Sequence, residues 1–148
     1  KTFGFFIDDP TNNDDKFLRS RIRKLLINLD KEGLKFNKFY LTLKNLSKSD
    51  QVIEFYVDKN ILENSKYFEK DKKIILNQSF FNNPEEIILR SIMQVIKRIS
   101  WKKNYPRGKK VNSLIDSIKF SNKNVKLTLS GCIIEKIQDS VIIYPEKR

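Results

Sequence analysis

The stretch from Asn83 to Ile99 reads NPEEIILRSIMQVIKRI and predicts the central helix of the fold. Asparagine is a favoured helix cap, and proline suits a first turn because the amide it lacks would have no helical partner there. Glu86 stands where the acid of a capping box would stand. One apolar stripe then recurs at helical spacing, namely Ile88, Ile92, Val95 and Ile99, widened by Leu89, Met93 and Ile96. We expect this helix to form the core of the domain.

An earlier helix is predicted after a turn at Asp9-Pro10. Proline cannot continue a regular strand, and the polar run Thr11-Asn12-Asn13 favours a turn. Asp14 or Asp15 can cap the helix that follows. Its apolar residues recur at helical spacing and predict a buried stripe: Leu18, Ile22, Leu25 and Leu29. Gly33 is a plausible end, because glycine supplies the left-handed conformation at which helices often stop.

Other stretches predict further helices and strands. Thr2 to Ile7 is an apolar, strand-like run, and Phe36 to Phe68 has a helical pattern with an irregularity at Ser47 to Asp50. Tyr67-Phe68 and Ile74 to Leu76 flank a charged turn, and they either pair as a small hairpin or cover the helices. We interpret the long stretch as a packing helix or a pair of packing helices.

The C-terminal part predicts one short helix and then strands. Val111 to Ile118 has helical spacing, whereas Val125 to Leu129 alternates apolar and polar residues as a strand with one buried face does. Cys132 to Ile134 and Val141 to Tyr144 complete an antiparallel meander. The fold class is therefore mainly α (α+β), a helical bundle with a small C-terminal antiparallel β-meander.

Composition limits the chemistry of the chain. Its 148 residues are enough for one ordinary domain, and 30 lysines and arginines against 18 acids give a net charge of +12. Such an excess favours polyanionic partners. The chain has no histidine and one cysteine, which excludes histidine-dependent triads, an internal disulfide and a cysteine metal cluster within it. Cys132 lies in an apolar strand, so we expect a buried side chain rather than a nucleophile.

Two clusters of cations are candidate phosphate contacts. The segment KRISWKKNYPRGKK, Lys97 to Lys110, has seven cations and no acid, with Trp101 and Tyr105 among them. Cations of this kind neutralise phosphates, and an aromatic face can stack on an unpaired base. The alternative is that Trp101 closes the end of the preceding helix and Tyr105 packs on its neighbours.

The second cluster lies on the early helix. Lys16, Arg19 and Arg23 fall together beside its apolar stripe, while Arg21 and Lys24 project from the other flank. Arginine forks match phosphate oxygens in pairs. The alternative is an ordinary solvated helix face.

The order of these parts resembles a known family. A D-P-[ST]-N turn, an acidic pair, an aromatic residue and R-x-R-[IL]-R follow one another, carried by Asp9, Pro10, Thr11, Asn12, Phe17, Arg19, Arg21, Ile22 and Arg23. This segment resembles the one in tRNA(Ile)-lysidine synthetases that leaves the ATP-binding domain and enters the helical domain. Tyr105 to Ile118 and Leu129 to Ile134 resemble later segments of the same enzymes. Many members have asparagine where this chain has Ser20, and histidine near Lys110.

The resemblance implies a ligase that adenylates the wobble cytidine of a tRNA(Ile) with a CAU anticodon and attaches lysine, using ATP and Mg²⁺. Its partners would be tRNA(Ile) and free lysine, with no membrane and a cytoplasmic location, and a homodimer stays open. The sequence contains no S-G-G-x-D-S pyrophosphate loop. We therefore expect residues 1–32 to be the exit of the catalytic domain and residues 33–148 the helical tRNA-binding domain. ATP and Mg²⁺ would bind mainly outside the chain, which would be inactive alone.

The same resemblance implies roles for the cations. Arg19, Arg21 and Arg23 would act at the joint between the active site and the anticodon arm, as catalytic residues that stabilise charge near the ATP. The residues expected to bind the tRNA are Lys16, Lys24, Trp101, Lys102, Lys103, Arg107, Lys109 and Lys110.

Two other functions fit the same composition. A stand-alone RNA- or DNA-binding module needs only the basic charge and the aromatic residues. A helical protein-interaction domain would carry its surplus lysines as a solvated surface.

Overall fold

The computed structural model describes residues 16–101, 106–121 and 123–146. Within them the elements are α1 (Leu18–Lys31), α2 (Phe36–Asn64), β1 (Ser65–Phe68), β2 (Lys73–Leu76), a 3-10 helix (Gln78–Asn82), α3 (Glu85–Ile99), α4 (Gly108–Phe120), β3 (Val125–Leu129), β4 (Cys132–Ile137) and β5 (Ser140–Pro145). The chain divides into two compact units, Lys1–Ser49 and Asp50–Arg148, and α2 contributes to both. The predicted α+β class is confirmed.

The first unit contains α1 and the first part of α2. Gly33 has φ +92° and ends α1, as predicted. The amide of Leu34 donates to the carbonyl of Leu29 at 2.9 Å, and that of Gly33 donates to Asp30 at 3.1 Å. These two bonds form a Schellman motif, which satisfies carbonyls that the helix leaves unpaired. The predicted strand at residues 2–7, the turn at 9–13 and the caps Asp14 and Asp15 lie outside the described residues.

The apolar stripe of α1 differs from the prediction. Leu18 is 63% exposed, Ile22 49% and Leu25 60%, and Leu29 alone of the four is half-buried. Helical spacing predicts which residues share a face, but a second surface must cover that face before it is buried. The residue at the N-cap position is Phe17, which makes no side-chain cap.

Helix α2 runs without a break through Ser47 to Asp50, where an irregularity was predicted. It also ends at Asn64, earlier than the predicted Phe68, because residues 65–68 form strand β1 instead. Arg90 of α3 fastens the second part of α2 to α3: its guanidinium bonds Asp50 and Glu86, each at 2.6 Å. Both carboxylates raise the pKa of Arg90, and the Glu86 hydrogen bond has the larger effect.

The five strands form one antiparallel sheet in the order β1-β2-β5-β4-β3. The predicted C-terminal meander is confirmed, and β1 and β2 pair as the predicted hairpin, with Tyr67 opposite Ile74. Strand β2 then pairs with β5, with Ile74 opposite Ile143, so the hairpin extends the meander. The sheet is larger than predicted because the β1–β2 hairpin and the three-stranded β3–β4–β5 meander share it.

The core of the second unit lies between one face of this sheet and helices α3 and α4. The predicted stripe of α3 is buried: Ile88 is fully enclosed, and Ile92, Val95, Ile96 and Ile99 join it in one cluster with the inward side chains of β2, β4 and β5. Val111, Leu114, Ile115 and Ile118 supply the face of α4. Met93 packs at the edge of this cluster. Burial of these apolar side chains is the main stabilising contribution to the unit.

The start of α3 corrects one prediction. Its N-cap position is Pro84, not Asn83, and its first turn holds Glu85 and Glu86 at the positive end of the helix dipole. Asn83 ends the 3-10 helix, and its Nδ2 donates to Oδ1 of Asn60 at 2.9 Å. The amide is thus used in a tertiary contact that sequence spacing cannot predict.

Asn60 is a buried polar centre that joins α2 to α3. It is 2% exposed, and its Nδ2 donates to the carbonyl of Phe80 at 3.3 Å and to Oγ of Ser91 at 3.2 Å. Its Oδ1 accepts from Nδ2 of Asn64 and Nδ2 of Asn83, both at 2.9 Å. All four hydrogen-bonding positions of this amide are used, as burial of a polar group requires.

Candidate nucleic-acid interface

The first turn of α4 carries cations where a helix usually carries acids. Arg107 occupies the N-cap position without a side-chain cap, and Lys109 and Lys110 follow, with no acidic residue in the turn. All three are exposed. The first amides of a helix have no intrahelical partner, and they form the positive end of the dipole. The three cations and the positive end of the helix dipole repel one another. A bound anion would offset this repulsion.

Helix α1 begins in the same way. Arg19 and Arg21 lie in its first turn, which holds no acidic residue, and Arg23 follows one turn after Arg19. All three are exposed. Arg19 and Arg23 share a helix face at a spacing of four residues, as predicted. Lys16 precedes the helix rather than lying on it, and Lys24 lies three residues after Arg21.

The cations at the end of α3 have a structural explanation. Lys97 and Arg98 occupy its last turn, at the negative end of the dipole, where positive charge is favourable. The guanidinium of Arg98 also stacks on the ring of Tyr67, 4.7 Å from the ring centroid. The cations of the predicted basic segment therefore differ in their surroundings. Those at the start of α4 are stronger candidates for anion binding than those at the end of α3.

Trp101 is held by the turn between β3 and β4. Its side chain is 51% exposed, and its Nε1 lies 2.8 Å from the position that a β-carbon would take at Gly131. The hydroxyl of Ser100 donates to the carbonyl of Ser130 in the same turn. The indole thus packs one edge on the turn and leaves half of its surface exposed. Stacking of this side chain on a base stays a prediction.

The β3–β4 hairpin has Trp101 at its turn and the first residues of α4 beside strand β3. Lys110 and Leu129 line one groove of about 240 Å³ between α4 and β3, and Gly131 follows Leu129 by two residues. The predicted residues Trp101 and Lys110 therefore flank one hairpin. Lys102, Lys103 and Tyr105 were also predicted to belong here, and they lie outside the described residues. The α1 cations belong to the other compact unit.

Other observations limit the chemistry of the described part. Cys132 is fully buried, and burial raises the pKa of its thiol to about 11, so it is not a reactive nucleophile. Its Sγ lies 3.7 Å from the carbonyl of Ile96. Among residues 16–101, 106–121 and 123–146, no group of three acids or cysteines is placed to hold a metal ion. Within the same ranges, no helix is long and apolar enough to cross a membrane.

These features define a basic α+β domain with uncapped, cation-bearing helix starts. No family model matches the chain. It is similar to the tRNA(Ile)-lysidine synthase of Wolbachia pipientis wMel, with 27% identity over 141 residues, which is 95% of this chain. The chain spans about a third of the length of that relative, 33%. The resemblance drawn from the order of the motifs is confirmed as a distant one.

Proposed function

We propose that this chain is the tRNA-docking region of a tRNA(Ile)-lysidine synthetase. The observation that carries the proposal is the similarity to a lysidine synthase along 95% of the chain. In this proposal the whole enzyme uses ATP and Mg²⁺ to join lysine to the wobble cytidine of a tRNA(Ile) with a CAU anticodon. ATP and Mg²⁺ bind mainly outside these residues, because the sequence lacks the pyrophosphate loop that such chemistry needs.

The start of α4 is the proposed phosphate site. Arg107, Lys109 and Lys110 lie at the positive end of the helix, and no acid in the first turn neutralises them. Arginine forks and helix amides both bind phosphate oxygens, and such contacts orient an RNA without reading its sequence. In this proposal Lys102 and Lys103, which lie outside the described residues, also contact the RNA, and the exposed part of Trp101 stacks on a base.

The arginines of α1 have a different proposed role. Arg19, Arg21 and Arg23 would stabilise negative charge near the ATP, with Lys16 and Lys24 on the RNA side. Their exposure and the absence of acids from the first turn support this role. Tests of these arginines need the whole enzyme, because the chain alone is expected to show no lysine incorporation.

A salt titration of RNA binding tests the α4 site. The triple variant Arg107→Glu, Lys109→Glu, Lys110→Glu is compared with the unchanged chain for binding of a tRNA(Ile) anticodon stem-loop. Loss of three phosphate contacts should lower the affinity and reduce the slope of log affinity against log salt by about 2. The matched control changes Lys38, Lys44 and Lys48, all exposed on α2, to Glu, with the same change in charge. Equal losses in both triple variants would show that net charge alone is responsible.

The alternative is a stand-alone RNA- or DNA-binding module. It predicts equal affinity for tRNA(Ile), an unrelated structured RNA and duplex DNA of the same length. The proposed function predicts a preference for tRNA(Ile) once the sequence-independent term is reduced at moderate salt.

A further inference from the structure

A pocket of about 460 Å³ lies between the second part of α2, strand β1 and the last two turns of α3. Its apolar lining consists of Leu62, which is exposed, Ile61, which is half-buried, and Ile74 and Val95, which are buried at its floor. The rim carries polar groups. The volume falls within the range of about 300–1,000 Å³ that is usual for small-ligand sites in proteins. The α4 site and the α1 arginines do not use this pocket.

Two planar side chains stand at the rim. The guanidinium of Arg98 lies over the ring of Tyr67 at 4.7 Å, and both groups line the pocket. This stacking reduces the rotamer freedom of Arg98 before any ligand arrives. Flat aromatic and guanidinium faces stack on planar ring systems, so the rim favours a flat ligand.

Two polar side chains indicate which hydrogen-bonding groups the flat ligand should carry. The amide of Gln94 offers both a donor and an acceptor, and the carboxylate of Asp58 offers only acceptors. Carboxylates in proteins accept from the amino group of cytosine, and glutamine amides pair with adenine. Uracil has no amino group and offers Asp58 and Gln94 one donor, its N3–H, where the amino group of cytosine offers two, so uracil would satisfy the two side chains less well.

The position of the pocket connects it with the proposed RNA surface. Gln94, Val95 and Arg98 lie at the C-terminal end of α3, from which the chain continues into Trp101 and the basic segment. The pocket borders β1 and β2 at one edge of the sheet, whereas α4 packs on β3 at the other edge. An RNA whose phosphates bind the start of α4 would therefore reach the pocket by crossing the end of α3.

We infer that this pocket binds an unpaired nucleobase of the docked RNA, one that carries an exocyclic amino group. The apolar side chains and the stacked pair of Tyr67 and Arg98 take the faces of the base. Asp58 and Gln94 take its edge. The inference rests on the proposed function, since it names where a single-stranded base of the RNA is held.

Methyl-detected NMR of the whole chain tests the inference. Ile61, Ile74 and Val95 are the reporters, and the probes are cytidine 5′-monophosphate, uridine 5′-monophosphate and the anticodon stem-loop. We expect saturable shifts of these three residues with the cytidine nucleotide and with the stem-loop, and at least about tenfold weaker binding of the uridine nucleotide. Gln94→Ala should reduce binding of the cytidine nucleotide, and Arg98→Ala should weaken both nucleotides alike. Lys59→Ala, on the exposed α2 surface beside Glu63, is the control and should change neither.

The outcomes separate the two proposals. Stem-loop binding that leaves the three reporters unshifted would overturn the pocket while the proposed function stands. Equal binding of the two nucleotides would overturn the requirement for an amino group. Shifts with the free nucleotide alone would overturn the assignment to RNA. A chain that binds no RNA would overturn the proposed function itself.

Discussion

The indole Nε1 of Trp101 lies 2.8 Å from the point where a β-carbon of residue 131 would stand, so only glycine at position 131 admits the indole without displacement. Gly131 also has φ +80° and follows Ser130 at φ +53°, as a two-residue hairpin turn requires. The glycine therefore serves both the turn and the placement of the one tryptophan in the chain.

Gly131→Ala should destabilise the chain and move the tryptophan. The left-handed conformation alone costs about 1 kcal/mol for alanine, and displacement of the indole adds to that. We expect a lower midpoint in urea unfolding and a red-shifted fluorescence maximum, because Trp101 is the only tryptophan. Gly33→Ala is the control: at φ +92° with nothing within 4 Å of the added carbon, it should show the conformational cost without the fluorescence change.

The same contact can be isolated by a double-mutant cycle. In a Trp101→Ala background, Gly131→Ala should cost only the conformational term, similar to Gly33→Ala. An equal cost with and without the indole would show that the Trp101–Gly131 contact contributes nothing.

Asn60→Ala should lower the free energy of unfolding by about 2 kcal/mol or more. The change leaves the Ser91 hydroxyl and the Phe80 carbonyl without the amide they contact, in a buried site where each unsatisfied group costs about 1–3 kcal/mol. Thermal and urea unfolding measure the loss. Asn45→Ala, at an exposed position of the same helix, should be neutral or slightly stabilising, because alanine is the better helix former. Similar losses at the two positions would argue against the network.

The carboxyl of Glu135 should make stability depend on pH. Hydrogen bonds from Lys126 at 2.5 Å and from the Tyr144 hydroxyl at 3.0 Å lower the pKa of Glu135 below its ordinary value of 4.5. The contribution is therefore complete above pH 4.5 and is lost as pH falls through the lowered pKa. The difference in unfolding free energy between the unchanged chain and Glu135→Gln should shrink from pH 6 to pH 3.

The same pH dependence can be measured in a chain that lacks the cation of Lys126. The Lys126 hydrogen bond is the largest cause of the lowered pKa, so in Lys126→Met the effect of Glu135→Gln should become nearly independent of pH. An undiminished pH dependence in that background would assign the shift to Tyr144 instead.

Cys132 should resist thiol reagents in the folded chain. Burial raises the pKa of its thiol to about 11, so at pH 8 the reactive thiolate is scarce and enclosed. Labelling by a disulfide reagent should be roughly 100-fold slower in the folded chain than in urea. Labelling at comparable rates would show that the β4 strand opens readily.

The proposed function predicts that the α1 arginines affect turnover in a longer enzyme that contains this chain. Replacing Arg19, Arg21 or Arg23 by alanine should lower kcat for lysine incorporation by about 10²- to 10³-fold at whichever position faces the developing charge. Binding of tRNA should change little in comparison. Lys31→Ala, in the last turn of the same helix, is the control. A loss confined to tRNA affinity would place these arginines on the RNA side only.

Much of the fold could be predicted from local patterns. The buried stripe of α3 and the alternation of β3 follow from the angles at which successive side chains leave a helix or a strand. The break at Gly33 follows in the same way from the freedom of glycine to adopt positive φ. The cations of α1 and α4 were also predicted as candidates, because their order along the chain is visible in the sequence.

The remaining features were decided by the tertiary structure, because they depend on which residues that are distant in sequence come into contact. The α1 stripe is as regular as that of α3, yet Leu18, Ile22 and Leu25 are exposed, since periodicity says nothing of what covers a helix face. Asn83 has the chemistry of a cap but bonds Asn60 instead, and no local signal marked Asn60 as its partner. The stacking of Arg98 on Tyr67 could not be predicted either, because strand β2, the 3-10 helix and most of α3 separate the two residues along the chain.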